Sequence, residues 1–122
     1  MVGHWPPFLS DHCIAFPHAT SGQPLDIHPL GERLATAKTT ALFKSRDLEV
    51  MRLVLLAGKS LPPHKVPGEI TIQCLEGRLD VGLEDTTVTL AAGQMLFLAG
   101  GAIHAVHAVV DATALLTIAL KS

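Results

Sequence analysis

From about residue 26 onward this chain is a ladder of short apolar, β-branched runs, punctuated by turn residues about every eight to twelve positions. No stretch long enough for a core helix keeps a 3.6-residue period. A chain built this way must bury its runs as strands, and many short strands with frequent turns close into a sandwich or a barrel. The spacing predicts strands over 39–44, 48–56, 69–75, 78–83, 86–90, 95–98, 103–110 and 115–120, with a further short edge strand over 26–30. Residues 31–35 read as a turn or a single helical turn, Ser45-Arg46-Asp47 as a turn, and 58–63 as a loop. The run Leu53-Val54-Leu55-Leu56 has lost its alternation, as a strand does when it is covered on both faces or lies at a subunit interface.

At 122 residues, a single core is expected. The organisation read from the sequence is an irregular amino-terminal arm over 1–25 and one β-domain over 26–122. The arm holds Pro6, Pro7, Pro17 and Pro24, together with His4, Trp5, His12, Cys13 and His18. That density of ligand-type residues fits no recognised metal spacing, and the prolines prevent a helix from presenting them on one face. A surface arm packed on its own or a neighbouring subunit is the expectation.

Composition excludes several function classes. Aromatic residues make up only 4% of the chain and tyrosine is absent, so there is no platform on which bases could stack. Nine basic and eleven acidic residues are scattered, with no basic run to follow a phosphate backbone, so no nucleic-acid partner is expected. Cys13 and Cys74 are too few for a disulfide framework and lack Cys-x-x-Cys spacing, which points to free thiols in a reducing cytoplasm. The start of the chain lacks the charged n-region of a signal peptide. The apolar window 95–110 contains Gly100-Gly101, His104 and His107, which suit two strands and a turn better than a membrane span. No phosphate loop, dinucleotide fingerprint or nucleophile elbow is present.

Two segments carry more specific information. Gly58 is followed after five residues by His64, and Gly77 closes that segment; Gly93 is followed by Gly101 and His104. In this order and spacing they resemble the two motifs of the cupin barrel family, over roughly residues 48–120. The resemblance implies an all-β, jelly-roll-like barrel, a double-stranded β-helix of two antiparallel sheets. In that family the first motif reads Gly, five residues, His-x-His, three or four residues, Glu, six residues, Gly. Here Val66 stands where the second histidine would be and Ile70 where the glutamate would be. In the second motif Ala99 replaces a proline and Ala108 an asparagine.

The resemblance also implies a metal site, because His-x-His on a strand aims two imidazoles at one point and a carboxylate and a third histidine complete the set. Iron, manganese, nickel or zinc would be the candidates. Valine and isoleucine have no lone pairs, so His64 and His104 remain as an incomplete metal set. Glu69 and Gln73 would face inward as substitute ligands only if a bulge at Pro67-Gly68 reversed the strand's parity. The usual register instead lines the interior with Val66, Ile70, Ile72, Cys74 and Val106, and sets His107 on the opposite face from His104. The preferred expectation is a small organic ligand bound between these apolar walls, with His64 and His104 as polar anchors and no cofactor required. A metal-dependent dioxygenase or isomerase with a non-standard third ligand is one alternative, and a scaffold or regulatory module is another. A homodimer is expected, with no membrane partner.

Overall fold

The computed structural model describes residues 19–120 and the backbone of Cys13–Ile14. The readings made for His4, Trp5, His12 and His18, and for the side chain of Cys13, lie outside the described residues. Ten strands are described: β1 (Cys13–Ile14), β2 (Thr39–Lys44), β3 (Leu48–Leu55), β4 (Ser60–His64), β5 (Ile70–Glu76), β6 (Arg78–Gly82), β7 (Thr87–Ala91), β8 (Met95–Leu98), β9 (His104–Ala108) and β10 (Ala112–Ala119). They form a six-stranded sheet in the order β1-β2-β3-β10-β5-β8 and a four-stranded sheet in the order β4-β9-β6-β7. All pairings are antiparallel except the short parallel one between β1 and β2.

Period-2 alternation explains how the sheets close over one core. On β3, Met51, Leu53 and Leu55 face inward; on β5, Ile70, Ile72 and Cys74; on β10, Ala114, Leu116 and Ile118. Register lines these up across strands, with Leu116 between Met51 and Ile72, and Ala114 between Leu53 and Cys74. The smaller sheet contributes Leu61, Leu79, Val81, Leu90, Val106 and Ala108 to the same cluster. The core is aliphatic, as the scarcity of aromatic residues requires.

Three expectations need correction. Residues 26–30 form no strand, because the Asp26 carboxylate accepts the His28 N–H at 2.9 Å in a local turn that competes with ladder pairing. The segment is held instead by side chains from the large sheet. Buried Arg52 donates to the carbonyl oxygens of His28 (2.8 Å) and Asp26 (2.9 Å), and the Glu76 carboxylate accepts the N–H groups of Leu30 (2.7 Å) and Gly31 (3.1 Å). The expected loop over 58–63 becomes strand β4 from Ser60. Its two prolines are tolerated because β4 is an edge strand, and the pairing with β9 is irregular between Leu61 and His64. Finally, β10 starts at Ala112 rather than 115. Alanines are weak strand formers, but here Ala112 and Ala114 fit beside Leu55 and Leu53 of β3.

The expected turn near residues 31–35 is present as a 3-10 helix, Gly31–Thr36. The tight β5–β6 connection turns on Gly77, whose φ is +80°; a Cβ there would lie 2.1 Å from the Asp111 carbonyl oxygen.

Candidate functional site at the barrel mouth

His64 ends β4 and His104 begins β9, and the two are direct register partners. Their rings meet edge to face, with centroids 4.3 Å apart and planes inclined by 61°. His104 is buried, at 2% exposure, whereas His64 is half-buried. Each ring is oriented in the same way: His64 Nδ1 bonds the Pro62 carbonyl oxygen at 2.9 Å and His104 Nδ1 bonds that of Ala102 at 3.1 Å. A carbonyl oxygen only accepts, so Nδ1 carries a proton in both rings. Burial lowers the pKa of His104 below the ordinary histidine value. The bond to Ala102 opposes that shift, and the neighbouring His64 adds to it.

The loops on either side of the pair are tied to each other. Gly101 N–H donates to the Val66 carbonyl oxygen at 2.8 Å. Gly68 and Gly100 are sites of close backbone approach, where an added Cβ would fall 1.8 Å from Ala119 O and 2.3 Å from Pro67 O, respectively. Val66, Ile70, Ile72, Cys74 and Val106 are all buried in the common core. Glu69 is exposed, and Thr71 and Gln73 alternate with the buried residues on the outer side of β5. The apolar register is therefore the one adopted, and the parity reversal that would have turned Glu69 and Gln73 inward does not occur. His107 faces outward, where its Nδ1 lies 2.6 Å from the Ser60 hydroxyl. His28 sits on the segment over the large sheet, bonded to Asp26.

Cys74 is a buried free thiol. Burial raises its pKa, and it donates weakly to the Glu76 carbonyl oxygen at 3.4 Å. Sequence reasoning passed over the carbonyls of Pro62 and Ala102, because a backbone group that orients a ring leaves no mark in residue identity. It also missed Glu76 and Arg52, whose partners lie 24 to 46 residues away along the chain.

Two imidazoles beside valine and isoleucine do not fit the donor set that the two-motif architecture normally uses for a metal. Among the described residues, no three His, Cys, Asp or Glu side chains come together in a group that could hold an ion. The arrangement sets two imidazoles, each oriented by a backbone carbonyl, against an apolar core.

Two antiparallel sheets folded over a single aliphatic core, with paired histidines on the neighbouring strands β4 and β9, define a small jelly-roll barrel. The family model described as the cupin domain matches residues 51–119, and the chain belongs to that family. No curated protein matches it. Among solved structures it is similar to a conserved protein of unknown function from Streptococcus pyogenes, with a TM-score of 0.68 and 21% identity over 89% of this chain and 99% of that one. A cupin superfamily protein from Desulfitobacterium hafniense gives a TM-score of 0.70 at 15% identity, over 88% and 100% of the two chains. An RmlC-like cupin from Desulfovibrio desulfuricans gives 0.62 at 28% identity, over 66% and 79%. No helix among the described residues is long and apolar enough to cross a membrane.

Proposed function

We propose that this barrel binds a small organic molecule at the His64–His104 edge, without a resident metal. The observation that carries the reading is the shared orientation: both rings commit Nδ1–H to a backbone carbonyl, and His104, whose pKa burial lowers, keeps an acceptor at Nε2. Burial disfavours the charged form of His104, so that ring favours a ligand that donates a hydrogen bond over an anion. Val66, Ile70 and Val106 back the pair with buried apolar side chains, and an apolar surround with a few placed polar groups is the common form of a small-molecule site. Half-buried His64 is the point of entry. We further propose a homodimer in a reducing, cytoplasmic setting, in which buried Cys74 acts as a small core residue and not as a nucleophile.

The test pairs a donor with its blocked analogue. Titration with 4-ethylphenol should shift the His64 and His104 ring resonances, and 4-ethylanisole should bind at least about tenfold more weakly for want of the donor. His64→Phe should abolish that preference while leaving the fold intact. Elemental analysis after dialysis against iron, manganese, nickel and zinc should find no stoichiometric metal. Metal that is retained and then lost in His64→Ala would overturn the metal-free reading. Phenol binding that ignores His64→Phe would leave the barrel as a scaffold.

A further inference from the structure

The apolar run at 53–56 is only partly explained by the core. Leu53 and Leu55 turn inward, but Val54 is half-buried on the other face and Leu56 is 39% exposed just beyond the strand. β2 stops covering β3 here, because the Thr39 hydroxyl takes the Val54 N–H at 3.0 Å and closes the ladder. The start of β2, the end of β3 and the start of β4 line a slot of about 320 Å³ where the two sheets meet. Its apolar lining includes Leu53, Leu55, Leu61 and Ala37, and its charged groups are Lys38 and Lys59. The chain has more acidic than basic residues, yet among the described residues no carboxylate lines this slot.

We propose that the slot binds a small apolar carboxylate of the medium-chain fatty acid class, with its tail against Val54, Leu56 and Ala37 and its headgroup between Lys38 and Lys59. The volume lies at the lower end of small-molecule pockets, which run from about 300 to 1,000 Å³. Two lysines can lay their methylene stems along an apolar wall while their ammonium groups stay at the solvent edge, which is where a carboxylate would remain. Charge complementarity selects the anion, and the apolar lining selects an aliphatic tail over a compact inorganic ion. The site is distinct from the histidine pair, neither member of which lines it.

NMR-detected titration of the full chain with hexanoate, octanoate and octan-1-ol tests this directly. Backbone shifts should concentrate at 54–56 and 59–61, and octanoate should bind about fifteenfold more tightly than hexanoate, since each buried methylene adds about fourfold. Octan-1-ol should bind at least about tenfold more weakly than octanoate. Lys38→Gln combined with Lys59→Gln, both at exposed positions, should erase that difference. Ala37→Leu, which narrows the slot from its rim, should weaken every member of the series. Equal affinity for octanoate and octan-1-ol in the native chain would overturn the proposal, as would insensitivity to the lysine pair. Octanoate shifts confined to His64 and His104 would also overturn it and would move the ligand to the barrel mouth.

Discussion

At the scale of single residues, the site depends on two imidazoles that are each oriented by a backbone carbonyl. His104 is the more constrained, because burial and the neighbouring His64 ring both disfavour its charged form. A histidine whose folded pKa is depressed binds a proton in the unfolded chain before it does so in the fold. Between the ordinary value near 6.5 and the lower folded value, the unfolded state carries more protons, so stability rises with pH through that window and is flat above it. Denaturation midpoints measured from pH 7.5 down to pH 5 should therefore fall as the solution is acidified. His104→Phe should flatten that dependence, and the His104 ring resonance should titrate below the random-coil value. A His104 resonance titrating at or above that value would contradict the assignment. Both histidines were legible because each sits at a fixed distance after a turn glycine. What orients them was not, since the carbonyls of Pro62 and Ala102 belong to the backbone and appear in no pattern of residue types.

At the scale of elements, the strands of the ladder were readable wherever alternation or a β-branched run carried the signal, as in β2, β5 and β8. They were misread where local chemistry and tertiary placement disagreed. Pro62 and Pro63 look like loop residues, yet an edge position allows them in β4, and only β4 brings His64 opposite His104. Asp26 to Leu30 looks like a strand, but a local turn and the distant Arg52 and Glu76 claim its backbone groups. The loop after β4 is fixed by contact, not by propensity. Gly68 passes under the end of β10 so closely that a methyl group would sit 1.8 Å from Ala119 O, while Ala119 N–H reaches Glu69 O at 2.9 Å. Gly68→Ala should therefore cost at least about 2 kcal/mol in urea denaturation, because a backbone strand must shift to admit one carbon. It should also displace Val66 and weaken phenol binding at the histidine pair. Gly82→Ala is the matched control: its Cβ would meet Ala105 Cβ at an ordinary 3.7 Å, so stability should change by less than about 0.5 kcal/mol. Equal effects of the two substitutions would refute close approach as the reason for glycine at position 68.

At the scale of the whole molecule, Leu53 and Leu55 are buried in the core, so the apolar run at 53–56 leaves only Val54 and Leu56 for an outside contact. The outer face of the six-stranded sheet is the better candidate. Edge strand β8 turns Met95 and Phe97 outward, each 59% exposed, while Leu98 between the sheets is buried. Their register partners on β5 are Gln73 and Thr71, which in turn pair with Leu115 and Thr117 on β10. Leu115 is also the partner of Arg52, which grips the carbonyls flanking Ile27, itself 38% exposed. The patch built from Met95, Phe97, Thr71, Gln73, Leu115 and Thr117 carries no charge. That matters for a two-fold contact, which sets each residue near its own copy and would oppose like charges if any were present. Pairing there would also protect the unpaired backbone of β8, which as an exposed apolar edge otherwise invites open-ended association. Sedimentation at micromolar concentration should thus find a dimer whose melting temperature rises with protein concentration. Phe97→Glu should yield a folded monomer, because it places two carboxylates across the axis without touching the core. A native monomer, or a dimer indifferent to Phe97→Glu, would rule this face out. A folded Phe97→Glu monomer that still binds octanoate would show that the slot at the β2–β4 seam is complete within one chain.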